Sequence, residues 1–121
     1  MINILIVDDE KLQRVFMSKL IKKVQPDSKI DVASDGNEAI EKCINFQDYH
    51  VIFMDLTMPS CDGFTATETI RMLNENVLIY SVTAFGEDSL LKQKCIEAKM
   101  NGYYTKPLKK ENVIEILSFL S

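Results

Sequence analysis

The sequence predicts an α/β domain, a doubly wound five-stranded parallel sheet in the order 2-1-3-4-5 carrying five helices. Three observations point there. Short apolar runs alternate with helix-periodic segments five times over. Such alternation implies parallel strands joined by right-handed crossovers, with helices on both faces. The runs Ile2–Val7, His50–Met54 and Val77–Val82 are dominated by apolar residues, as central strands covered on both sides are. Lys29–Ala33 instead alternates polar and apolar residues, the pattern of an edge strand.

Each element has its own signal. Ile2-Asn3-Ile4-Leu5-Ile6-Val7 is the first strand and runs into Asp8-Asp9-Glu10. From Lys11 to Val24, Leu12, Val15, Phe16, Leu20, Ile21 and Val24 recur at helical spacing and mark the apolar positions of the first helix. Pro26-Asp27 ends it. Lys29–Ala33 is the second strand, and Ser34-Asp35-Gly36 turns into a helix carrying Ala39, Ile40, Cys43 and Ile44. The third strand delivers Asp55 at its carboxyl end, and Thr57, Met58 and Pro59 follow. Ser60-Cys61-Asp62-Gly63 leads to a helix with Phe64, Ile70 and Leu73. The fourth strand closes on Thr83, and Gly86-Glu87-Asp88-Ser89 opens a helix with Leu90, Leu91, Cys95 and Ala98. A very short fifth strand, Tyr103-Tyr104, stops at Lys106-Pro107, and Glu111–Leu120 is the last helix, with Val113, Ile116, Leu117 and Leu120 inward.

The 121 residues read as one domain, 1–121, with 46% apolar and 26% charged residues, ordinary for a soluble globular chain. The net charge is −4 with Lys and Arg scattered, which argues against nucleic acid as a partner of this domain. No apolar run is long enough to span a bilayer and no signal-peptide pattern opens the chain, so the expectation is a cytoplasmic protein without a membrane partner. Cys43, Cys61 and Cys95 match no zinc or redox spacing and read as free thiols in a reducing compartment. The lone His50 reads as a surface residue.

In a sheet of this order every strand's carboxyl end points the same way, and the chain switches direction between strands one and three. Ligands bind in the crevice at that point. Asp8, Asp9 and Asp55 converge there, with Thr83 after strand four and Lys106 after strand five. Three close carboxylates repel one another unless a cation intervenes. All-oxygen donors suit Mg²⁺. Lys106 suits a phosphate oxygen, the Thr83 hydroxyl is a donor, and backbone N–H groups are expected around Thr57 and Ala84. Together these form a pocket for a phosphoryl group with Asp55 as nucleophile, giving an aspartyl phosphate.

With these residues in view, the chain resembles the receiver domain of response regulators in two-component signalling, a flavodoxin-like fold, over its whole length. The resemblance rests on Leu5-Ile6-Val7-Asp8-Asp9-Glu10, Met54-Asp55-Leu56-Thr57-Met58-Pro59 with Asp62-Gly63, Thr83-Ala84 and Lys106-Pro107. It implies that Asp55 accepts phosphate from a phosphohistidine of a sensor histidine kinase or histidine phosphotransfer domain. It also implies Mg²⁺ held by Asp9, Asp55 and the Thr57 carbonyl, with Asp8 acting through water. Lys106 would contact the phosphate, its bond to Pro107 would be cis, and Thr83 and Tyr103 would form a switch acting on the face of helix four, strand five and helix five. Phe85 and Thr57, apolar or lacking an amide or carboxylate, imply slow self-dephosphorylation. Lys94-Cys95-Ile96-Glu97-Ala98 and Tyr104-Thr105-Lys106-Pro107-Leu108 resemble receivers fused to hybrid histidine kinases. Lys99 departs from the family's usual Ala-Gly at that loop and puts its cap geometry in question. The domain is expected to be a phosphoacceptor rather than a conventional enzyme. The alternatives are a Mg²⁺-dependent aspartyl-phosphate phosphohydrolase and a phosphate-independent protein-binding module. A general acid two residues after Asp55, which the hydrolase needs, is replaced by Thr57.

Overall fold

The computed structural model describes residues 1–56, 62–84 and 88–120. The elements run β1 (Ile2–Val7), α1 (Lys11–Val24), β2 (Ser28–Ala33), α2 (Gly36–Asn45), β3 (Val51–Met54), α3 (Gly63–Leu73), β4 (Leu78–Thr83), α4 (Ser89–Glu97), β5 (Gly102–Thr105) and α5 (Lys110–Ser118). All neighbouring strands pair in parallel, in the order β2-β1-β3-β4-β5, as expected from the sequence.

Side chains of a strand alternate between faces, so β1 feeds two cores at once. Leu5 and Val7 join Ala39, Cys43, Ala66 and Ile70 of α2 and α3, while Ile4 and Ile6 join Met17, Ile21, Val113 and Ile116 of α1 and α5. The partner residues Ile52 and Met54, and Val51 and Phe53, divide in the same way. Every residue of β3 is buried, which explains why its sequence shows no alternation.

The α1 reading needs correction. The helix has the expected bounds, but its buried residues are Met17 and Ile21. Leu12 is 83% exposed, and Val15 and Phe16 also face outward. Met17, Leu20, Ile21 and Val24 form the inward stripe. Continued toward the helix start at helical spacing, that stripe reaches Gln13 and Arg14 rather than another apolar residue. The helix therefore turns polar on its inner side where it approaches the end of β1.

Three of the described helices start on aspartate caps at the sheet's carboxyl edge. Asp35 accepts from the Glu38 N–H at 2.8 Å, Asp62 from the Thr65 N–H at 2.8 Å, and Asp88 from the Leu90 N–H at 2.9 Å. At its other end α4 closes with Lys99 in the left-handed region, φ 67°. The Lys99 N–H donates to Ile96 O and the Met100 N–H to Cys95 O, both at 3.0 Å. This is the usual glycine-terminated helix end, built here with a lysine. The departure noted at Lys99 thus keeps the cap geometry and places a side chain where it is disfavoured.

Candidate functional site

The crevice lies where β1 and β3 end side by side. The Asp55 N–H donates to Val7 O at 2.9 Å and the Asp8 N–H to Ala33 O at 3.1 Å, so the ladder continues through both aspartates before the chains diverge. The Lys106 N–H donates to Thr83 O at 2.8 Å, which carries the ladder past β4 and β5 in the same way. The sheet itself therefore sets Asp8, Asp55, Thr83 and Lys106 along one edge. The Lys106–Pro107 peptide is cis, as the resemblance implies.

Lys106 Nζ lies 2.9 Å from Asp8 Oδ2 and 3.8 Å from Asp55 Oδ2. Asp8, Asp55 and Thr83 are buried, and the lysine side chain is 14% exposed. Burial alone would lower the Lys106 pKa. The hydrogen bond to Asp8 and the charges of Asp55, Asp8 and Glu10 outweigh that and raise it. The ammonium is thus firmly charged and faces both acids.

Asp8, Asp9 and Glu10 bring a carboxylate oxygen each within 4.8 Å of one another, Asp8 buried and the other two exposed. Hard oxygen donors converging at a partly exposed edge fit a divalent cation such as Mg²⁺. Asp55 is not among these three; it is linked to Asp8 by the Lys106 ammonium that lies between them. Glu10 was quoted in the opening motif but given no role there; its signal was the third acid in an unbroken run. Glu10 also donates its N–H to Asp8 Oδ1 at 2.9 Å.

Gly63, named with Asp62 in the motif above, has a steric role that the motif alone does not give. It opens α3 against the carboxyl end of β3, and its N–H donates to Leu56 O at 3.2 Å. A Cβ at Gly63 would fall onto the Asp55 carbonyl oxygen and lie 3.0 Å from Leu56 Cα. Glycine is what allows α3 to start this close to Asp55.

Ala84 is exposed in the turn after Thr83. Tyr103 is 40% exposed on β5, with Lys92 Nζ 5.4 Å from its ring centroid. Thr57, Cys61 and Phe85 lie outside the described residues. His50 is exposed and far from this edge in function: its Nδ1 accepts from the Asn3 N–H at 2.9 Å, at the start of the first strand.

A parallel sheet with an acid-rich switch point and a lysine reaching into it defines a doubly wound α/β domain with a ligand-binding crevice at that edge. The comparisons narrow this to one family. The response regulator receiver domain profile matches residues 4–118, and the chain belongs to that family, whose members are the receivers of two-component phosphorelays. The chain is 34% identical over 122 residues to the osmosensing histidine protein kinase SLN1 of Saccharomyces cerevisiae, covering 97% of this chain and 10% of that protein. Among solved structures, the Vibrio cholerae chemotaxis protein CheY4 matches with a TM-score of 0.88 and 25% identity over 100% of this chain and 99% of that one. The CheX-CheY-BeF3-Mg²⁺ complex of Borrelia burgdorferi matches with a TM-score of 0.81 and 28% identity over 98% and 88%. No helix among the described residues is long and apolar enough to cross a membrane.

Proposed function

We propose that Asp55 is the phosphoacceptor. A carboxylate oxygen of Asp55 attacks the phosphorus of a phosphohistidine on a sensor histidine kinase or histidine phosphotransfer domain. The new O–P bond forms as the P–N bond breaks, and the imidazole leaves. The observation that carries this reading is the position of Lys106 Nζ, within 4 Å of carboxylates from two different strands. Lys106 is placed to pass from Asp8 to an equatorial phosphoryl oxygen, while the Thr83 hydroxyl and the backbone N–H groups at Thr57 and Ala84 take the others. Asp8 and Asp9, with Asp55 and the Thr57 carbonyl, would hold Mg²⁺. When bound, the ion neutralises the converged acids and charge on the phosphoryl oxygens. The Borrelia CheY complex, with its BeF3 and Mg²⁺, supports this assignment.

Thr83 and Tyr103 form the switch. The Thr83 hydroxyl moves toward the phosphoryl group and the Tyr103 ring turns inward, away from Lys92, altering the α4-β5-α5 face. The domain catalyses its own phosphorylation, and the residue types at Thr57 and Phe85 make its hydrolysis slow. A Phe85→Ala, Thr57→Asn double variant should lose label faster than wild type. Incubation with labelled acetyl phosphate, with and without Mg²⁺, tests the whole reading. Stoichiometric, persistent, Mg²⁺-dependent label absent from Asp55→Asn is expected. Rapid turnover without accumulation would favour the phosphohydrolase, and no label at all the binding module.

A further inference from the structure

We infer that Arg14 is a positioning residue for the cation site, acting through Asp8; the inference rests on the reading of that acidic edge given above. Asp8 is at the point where β1 leaves the sheet. Its N–H is satisfied by Ala33 O at 3.1 Å, but its own carbonyl takes its bond from outside the sheet. Arg14 Nη1 supplies that bond at 2.8 Å from the second turn of α1. The Asp8 carboxylate is held at both oxygens, by the Glu10 N–H at 2.9 Å and by Lys106 Nζ at 2.9 Å. Arg14 therefore completes a clamp that leaves the Asp8 backbone and side chain one orientation.

The placement of Arg14 is built into its helix. It lies three and seven residues before Met17 and Ile21, the buried residues of α1, so it continues the inward stripe toward the end of β1. The Ser18 hydroxyl donates to the Arg14 carbonyl at 2.7 Å within the same helix. A planar guanidinium with several donors suits this role better than an ammonium.

Arg14 has two opposing influences on a cation held at Asp8 and Asp9. Its charge repels the cation, so its removal should tighten binding if electrostatics dominated. Its hydrogen bond orients Asp8, so its removal should loosen binding if positioning dominated. The clamp assigns the second as the larger.

Calorimetric titration of Mg²⁺ into wild type, Arg14→Gln and Arg14→Lys, at fixed ionic strength, separates the two. Arg14→Gln should bind roughly tenfold more weakly, the scale of an outer-shell loss, with Arg14→Lys intermediate. Unchanged or tighter binding in both variants overturns the inference. Amide hydrogen exchange in metal-free protein gives a second readout. The Glu10 N–H, bonded to Asp8 Oδ1, should exchange faster in Arg14→Gln while the Val7 N–H does not, and equal Glu10 protection in both proteins also overturns it. Wild type that takes up no Mg²⁺ would sink the cation-site reading, and the Glu10 amide would still decide whether Arg14 orients Asp8.

Discussion

The β1–α1 corner lies at the carboxyl edge of the sheet and the α4–β5 corner at its amino edge, and the two are held in opposite ways. At the first, Asp8 is fixed by Ala33, Arg14, Glu10 and Lys106, and α1 packs Met17 and Ile21 into a core shared with α5. At the second, α4 has Cys95 as its buried residue, and Leu90 and Ile96 are exposed. Its carboxyl end is tied down instead by polar contacts. Arg71 donates to Lys99 O at 2.9 Å, to Val77 O at 2.6 Å and to Asn101 Oδ1 at 2.7 Å. The difference teaches how one small domain can divide its labour. The β1–α1 corner is held by packing and by a full set of bonds around Asp8. The α4–β5 corner has little apolar burial and relies on a polar anchor, the pattern of a region that opens at low local cost.

Breaking that anchor should have the largest effect. Arg71→Met removes these three short hydrogen bonds and two longer ones, to Asn74 O and Glu75 O, and strands the carbonyl of buried Val77, so the urea midpoint should fall by the equivalent of about 3 kcal/mol. An unchanged midpoint would show that α4 is held by something other than this staple. Gly63→Ala attacks the carboxyl edge, where β3 meets α3. The added methyl must displace the backbone of Asp55 and Leu56, costing about 2 kcal/mol and slowing phosphorylation, whereas Gly36→Ala should leave phosphorylation unchanged. Equal phosphorylation rates in the two variants would remove the argument for close approach at Gly63.

The same contrast explains what the sequence revealed. Strand order was legible because β1, β3 and β4 are apolar and β2 alternates, a direct consequence of central and edge burial. Asp8, Asp55, Thr83 and Lys106 were legible because each ends a strand, and parallel strands bring such ends to one edge. The buried face of α1 was not. That helix carries apolar residues on more than one side, and periodicity alone does not say which side meets the sheet. Arg14 and Arg71 were missed because their partners are, apart from Asn101 Oδ1, backbone carbonyls, which leave no residue-type signal. Lys99 was noticed as a departure, but only its φ shows that the cap survives it.

Alkaline pH should act more weakly, through groups outside the two corners. Burial raises the Cys43 thiol from 9.0 to about 11, so the native state keeps a proton that the unfolded chain loses. Lys106, though desolvated, is raised by Asp8 and Asp55; its contribution is complete below its ordinary value and is lost as pH rises through the folded one. Both signs agree: stability should hold to about pH 9 and decline above it. Thermal unfolding against pH checks this, and Cys43→Ala should flatten the first part of the decline. The smallest effect is expected at Lys99. Lys99→Gly relieves a left-handed backbone at some entropic cost and should stabilise by about 0.5–1 kcal/mol. A loss of stability there would mean that the lysine side chain contributes more than its backbone strain removes.

The central claim is that Asp55, rather than its acidic neighbours, carries the phosphoryl group. Borohydride reduction of the phosphorylated protein converts an acyl phosphate to homoserine at the modified position, and peptide mass spectrometry locates it. The account requires homoserine at residue 55. Homoserine at residue 8 or 9, with residue 55 still aspartate, would contradict it.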